Sequence, residues 1–231
     1  MSLYAWLLAL SLIGPLLYSF DKRVRFVKKW PALALGILIN GIVFISWDSW
    51  FVKQGIWGFN SNYVWDVRLL RLPIEEWLFF IIIPFCSVFI YECLKYYFKH
   101  QPLDKLKQPI TLFFFVFTFL LALFNTQHAY TFYNCLVASL LLLIHLLFLK
   151  REWMGYFWLA YLVHLIPFFI VNGILTGMAT NEPVVWYNNN ENLGIRIFTI
   201  PIEDSIYAMT CLLLPITIME WVISKQNKVI A

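Results

Sequence analysis

Two stretches of this chain, RLLRLPIEE (68–76) and RIFTIPIED (196–204), place two adjacent carboxyl groups one residue beyond a proline and directly ahead of a long apolar run. Proline suits the first helical position, where its missing N–H is not needed, and acids suit the positive end of a helix. A well-started helix is therefore the plain reading of each. A carboxylate at the mouth of an apolar helix is costly, however, and such groups mark function. Adjacent helical positions point about 100° apart, so Glu75 and Glu76 have different jobs, as do Glu203 and Asp204. One turn on lie Phe79 and Tyr207, which this spacing places on the face of the first acid of each pair. An acid above an aromatic ring in a dry site suits proton donation followed by stabilisation of the resulting cation. Burial and a like-charged neighbour both favour the neutral form of a carboxyl group, which keeps a proton available. For either ring alone, ordinary packing is the plain alternative.

Arg68 and Arg196 precede the two prolines by five residues. They either hold one acid ionised or anchor the chain at an interface. Asp48, in ISWDSWF, is a third acid near the first motif, unless Trp47 and Trp50 mark it as part of an interfacial belt. His164 reads as a satisfied structural histidine. Asn40 and Asn172 read as interhelical hydrogen-bonders. Glu92 and Glu220 lie about 25 Å further along their helices than Glu75 and Glu203, where pairing with lysines is expected. The four cysteines all lie in apolar runs and read as small buried hydrophobes, without a metal or disulfide role.

The elements that must carry these residues are transmembrane. Of the 231 residues, 61% are hydrophobic and only 13% charged, against roughly half and a quarter in soluble domains. Seven apolar stretches approach the ~20 residues of a bilayer span: 3–20, 31–50, 74–98, 109–125, 129–149, 153–175 and 202–224. No basic region precedes the first, which favours a helix over a cleaved signal peptide. Of the 17 Lys and Arg residues, 13 fall in 21–30, 95–108, 150–152 and the tail after 224. Cytoplasmic connections carry the positive excess. The N-terminus is therefore expected outside and the C-terminus inside, with both acidic motifs at the outer face. Nucleic-acid binding is excluded, because the basic residues form short loops and no single patch.

A shift of 128 residues superposes Arg68 on Arg196, Pro73-Ile74-Glu75-Glu76 on Pro201-Ile202-Glu203-Asp204, and Glu92 on Glu220. The expected fold is all-α and membrane-integral. Two three-helix units, 1–100 and 129–231, are joined by a connector, 101–128, that carries the fourth helix. One intervening helix makes the units parallel and puts both motifs on one side.

Seven helices, a duplicated unit and a Pro-x-Glu-acid signature in each half resemble the membrane-integral lycopene cyclases, here with both halves fused in one chain. The resemblance covers nearly the whole sequence. It implies a lycopene β-cyclase of a bacterial cytoplasmic membrane that closes the linear ends of lycopene, or a related acyclic carotenoid, into β-ionone rings. Closure is initiated by a proton and ended by loss of a proton, with no net redox change and no cofactor. Glu75, Glu76, Glu203 and Asp204 carry over as its catalytic residues, with donor and base unassigned. Arg68, Arg196, Phe79, Tyr207 and Asp48 are supporting candidates. Other carotenoid-pathway enzymes or further copies of the chain are open as partners.

The rivals are weaker. A flavin-dependent cyclase needs a G-x-G-x-x-G fingerprint, which the nine glycines do not contain. Magnesium-dependent prenyl chemistry needs clustered aspartates, and all five here are isolated. A retinal protein needs a lysine within 202–224, where there is none. A small-molecule transporter is the non-enzyme alternative, and a hydratase-like enzyme acting on the polyene end is another.

Overall fold

A computed structural model describes residues 2–149 and 152–230. The two basic residues of the expected 150–152 connection lie outside the described residues. Seven helices occupy the places the sequence assigns to them: α1 (Leu3–Tyr18), α2 (Trp30–Gln54), α3 (Ile74–Tyr97), α4 (Lys107–Phe124), α5 (Ala129–Ile144), α6 (Met154–Leu175) and α7 (Glu203–Ile230). Six are long and apolar enough to cross a bilayer, counting the π-helical turn His145–Leu149 that extends α5. The 16 residues of α1 rise only about 24 Å. Local chemistry sets several ends. Ser2 caps α1 by accepting from the Ala5 N–H, Pro31 sits in the first turn of α2, and Gly55, at φ 71°, closes α2.

Helices α1, α2 and α6 all pack on α3, and α2, α5 and α6 on α7, with α4 against α5. One apolar cluster fills the middle of the bundle around Phe157, Trp158, Met209 and Leu213. A second fills the end where the motifs lie, around Tyr4, Phe51, Trp57, Tyr130 and Val184.

The sequence reading contained no strands, and the structure adds six short ones at that end. They are β1 (Trp57–Phe59), β2 (Arg68–Leu69), β3 (Leu72–Pro73), β4 (Val185–Tyr187), β5 (Arg196–Ile197) and β6 (Ile200–Pro201). Hairpins β2–β3 and β5–β6 each deliver the chain into a motif helix. Between them β1 and β4 pair antiparallel, with Trp57 opposite Tyr187, Gly58 opposite Trp186 and Phe59 opposite Val185. Each residue of β1 lies 128 positions before its counterpart in β4, so exchanging the two halves maps this pair onto itself, as a local two-fold does. Gly58 lets the Trp186 ring lie across the strand, since a Cβ there would meet that ring at 2.6 Å.

Candidate active site

Each motif is positioned by its hairpin. In the first, Leu70 and Arg71 take left-handed φ values of 51° and 68° to turn the chain, and the second uses Phe198 at 57°, the counterpart of Leu70. The Ile74 N–H then bonds the Val67 carbonyl and the Ile202 N–H that of Ile195, both at 3.0 Å. Arg68 bonds the Arg71 carbonyl and, at 3.1 Å, the Ser61 hydroxyl. Arg196 does the same, to the Thr199 carbonyl and, at 2.8 Å, to Asn189 Oδ1. Among the described residues neither arginine forms an ion pair with a motif acid. Of the two readings of these arginines, the one in which they hold an acid ionised is therefore corrected. Both clamp the hairpin, because their side chains run back along the loop instead of toward the helix start.

All four motif acids are buried, and the 100° between neighbours separates their surroundings. Glu75 Oε1 accepts from the Ser2 hydroxyl at 2.5 Å and the Trp65 N–H at 2.8 Å. Glu203 Oε1 accepts from the Thr131 hydroxyl at 2.6 Å and the Leu193 N–H at 2.8 Å. The first acid of each pair thus ties the incoming loop to the start of a neighbouring helix. The second acids face a cavity of about 330 Å³ that both motifs share. Glu76 Oε2 accepts from the Tyr4 hydroxyl at 2.6 Å. Asp204 accepts three bonds: from the Tyr130 hydroxyl at 2.5 Å, the Tyr187 hydroxyl at 2.8 Å and Asn172 Nδ2 at 2.7 Å.

Aromatic side chains dominate the upper walls: Tyr4, Trp57, Phe79, Tyr130, Tyr187 and Tyr207. Phe79 and Tyr207 share the cavity with Glu76 and Asp204. The first acids, Glu75 and Glu203, do not line it, so it is the second acid of each pair that meets the rings there. Asp48 is buried beside the cavity and accepts from the Tyr207 hydroxyl at 2.9 Å. The loop at 186–194 folds over the second motif, with the Leu193 N–H on Glu203 and the Tyr187 hydroxyl on Asp204. Within it the Tyr187 phenol is pushed well above its usual range by burial first and by the nearby Asp204 charge second, so it serves as a hydrogen-bond donor.

Lower down the walls are mostly apolar, Phe168 among them, with one hydrogen-bonded polar pair. His164 Nδ1 lies 3.0 Å from the Ser87 hydroxyl, whose own proton goes to the Ile83 carbonyl at 2.7 Å. Nδ1 must then carry the proton of the His164–Ser87 bond. Glu92 and Glu220 lie at the opposite end of the bundle, as expected. Glu92 is 3.9 Å from Lys29, and Glu220 bonds Lys95 and the Tyr91 hydroxyl.

The sequence that builds this geometry belongs to a known family. The family model for lycopene cyclase matches residues 1–94 and 127–222. The chain belongs to the lycopene cyclase family. No curated protein and no solved structure matches it. For a lycopene cyclase family member the implied chemistry is carotenoid cyclisation in a lipid environment, and the two matched segments each contain one acidic motif. The interval between them contains all but the end of the expected connector.

Sequence reasoning missed Tyr4, Tyr130, Tyr187 and Trp57. The available signal was the need of a buried acid for donors. Tyrosines at the starts of the first helix of each half stand level with the motifs and supply them. Asn172, expected to bond between helices, bonds Asp204. Asn40 does not behave alike. It is buried with neither side-chain polar atom partnered among the described residues, which corrects the expectation for that residue.

Proposed function

We propose that this chain is a lycopene β-cyclase, acting without a cofactor. One observation carries the reading: Glu76 of the first motif and Asp204 of the second line the same apolar, aromatic-walled cavity. The hydrogen bonds divide the roles. Three donors favour the ionised form of Asp204, whereas Glu76 has one donor and an oxygen left for the cavity. Glu76 gives its proton to the terminal double bond of the substrate. The tertiary cation that forms is attacked by the neighbouring double bond, which makes the ring carbon–carbon bond and moves the charge into the ring. Asp204 then takes a ring proton, leaving the β-ring double bond. One proton enters, one leaves and no electrons are consumed. The rings of Tyr4, Phe79, Tyr130 and Tyr207 stabilise the cation and exclude the water that would quench it, which argues against hydration of the same end.

The duplicated units at 1–100 and 129–231, with their 101–128 connector, provide one acid each. The excess of basic residues away from the motifs supports an outward-facing site, in a bacterial cytoplasmic membrane. Lycopene supplied to membranes containing the protein in D₂O is expected to yield a β-ring carotene with one deuterium gained per ring. Unchanged lycopene with well-expressed protein, or rings closed without deuterium, contradicts the proposal.

A further inference from the structure

The two-fold relation is broken where the substrate must lie. Helices α3 and α7 correspond at an offset of 128, so Ser87 and Pro215 occupy matching places, as do Phe80 and Ala208. At Ser87, α3 meets α6 through side chains, the hydroxyl against His164. At Pro215, α7 meets α2 almost backbone to backbone, since a Cβ on Gly36 would come within 2.8 Å of the Pro215 carbonyl oxygen. Nearer the acids the contrast repeats. Phe44 of α2 stacks on Phe80 at 6.0 Å and on Trp47 at 5.9 Å, both within 15° of parallel. On the α6 side Ala208 leaves room, and Val171, Asn172 and Leu175 stand back as cavity wall. No α2 residue lines the cavity, whose walls come mainly from α1, α3, α6 and α7.

We infer that the chain gives the polyene a single path, on the α6 side of the local two-fold, and that each binding event closes one end only. The inference rests on the proposed cyclase reading. From Glu76 the cavity follows α3 to Ile90, 14 residues on and about 21 Å along the helix. A polyene about as long as the ~30 Å hydrocarbon core places one end at the acids and leaves the other outside, in lipid. The sealed α2 side offers that second end no matching seat. A two-ring product therefore requires release and reversal, and the one-ring carotene leaves the protein between closures.

The test uses the whole chain, purified in detergent from a carotenoid-free host. Saturation with lycopene is expected to leave one carotenoid per chain after gel filtration, and two per chain overturns the inference. Cys86→Phe, which intrudes into the cavity from α3, is expected to lower bound carotenoid at least tenfold. Leu214→Phe, at the matching place on the sealed side, is expected to keep it within twofold, and the reverse pattern overturns the inference. In reconstituted membranes, labelled lycopene is bound and then chased with excess unlabelled lycopene. Label is expected in the one-ring product, and label mainly in the two-ring product overturns the inference. Two per chain with rings formed removes the single path and leaves the cyclase reading standing. One per chain, unchanged, does the opposite.

Discussion

At the start of α3, Glu76 accepts one hydrogen bond, from Tyr4. At the start of α7, Asp204 accepts three, from Tyr130, Tyr187 and Asn172. The backbones around them are alike: the same hairpin, the same arginine clamp, the same bond from loop N–H to first acid. The conserved geometry of the two hairpins delivers a carboxyl group to the cavity from each half, and the side chains around it decide what that group does. The proposed reaction uses that difference: it takes the repeated scaffold as an asymmetric acid–base pair, since its donor and its base must be in opposite states at the start.

That contrast is most easily broken at Asp204. Asp204→Asn keeps the shape and removes the negative charge, and is expected to lower the rate of ring formation about 10³-fold, within the range for a lost acid–base group. Pigment analysis of membranes supplied with lycopene reads this. Removing one of its three donors is milder. Asn172→Leu or Tyr187→Phe is expected to cost about tenfold in rate, the equivalent of about 1.4 kcal/mol of transition-state stabilisation. The clamps differ too. Arg196 is half-buried and lies 5.8 Å from the Tyr187 ring centre, whereas Arg68 is exposed. Arg196→Ala is expected to lower stability by about 1–2 kcal/mol and Arg68→Ala by less than about 1 kcal/mol, read from thermal unfolding in detergent. The smallest effect belongs to Asn40→Leu. Its unpartnered amide contributes nothing that an apolar side chain of similar size would not, so stability is expected to hold or to rise by about 1 kcal/mol.

Much of this was legible in the sequence. Apolar runs and their breaks place all seven helices within a few residues of where they lie, because in a bilayer the length of the apolar run and the helix are nearly the same quantity. The 128-residue repeat locates both motifs and puts them at one end. What was not legible is direction around a helix axis. Whether Glu75 or Glu76 faces the cavity depends on how α3 is rotated against α1 and α6, and the i+4 aromatic partner does not decide it. Tyr187, which bonds Asp204, lies on β4, and the pairing of β4 with β1 across the halves is a long-range contact that no local pattern announces. Arg68 and Arg196 were open to two readings, as partners of an acid or as interfacial anchors, and their hydrogen bonds are those of turn clamps.

The central claim is that the second acid of each motif does the chemistry while the first holds the fold. It is tested most directly by comparing Glu75→Gln and Glu76→Gln in the same reconstituted membranes, with initial rates of ring formation and melting temperatures measured together. Glutamine at 75 keeps an acceptor for Ser2 and Trp65, so that variant is expected to retain activity within a few-fold, whereas Glu76→Gln is expected to lose about 10³-fold with its melting temperature unchanged. Ring formation that survives Glu76→Gln, or that vanishes in a stably folded Glu75→Gln, would contradict the account.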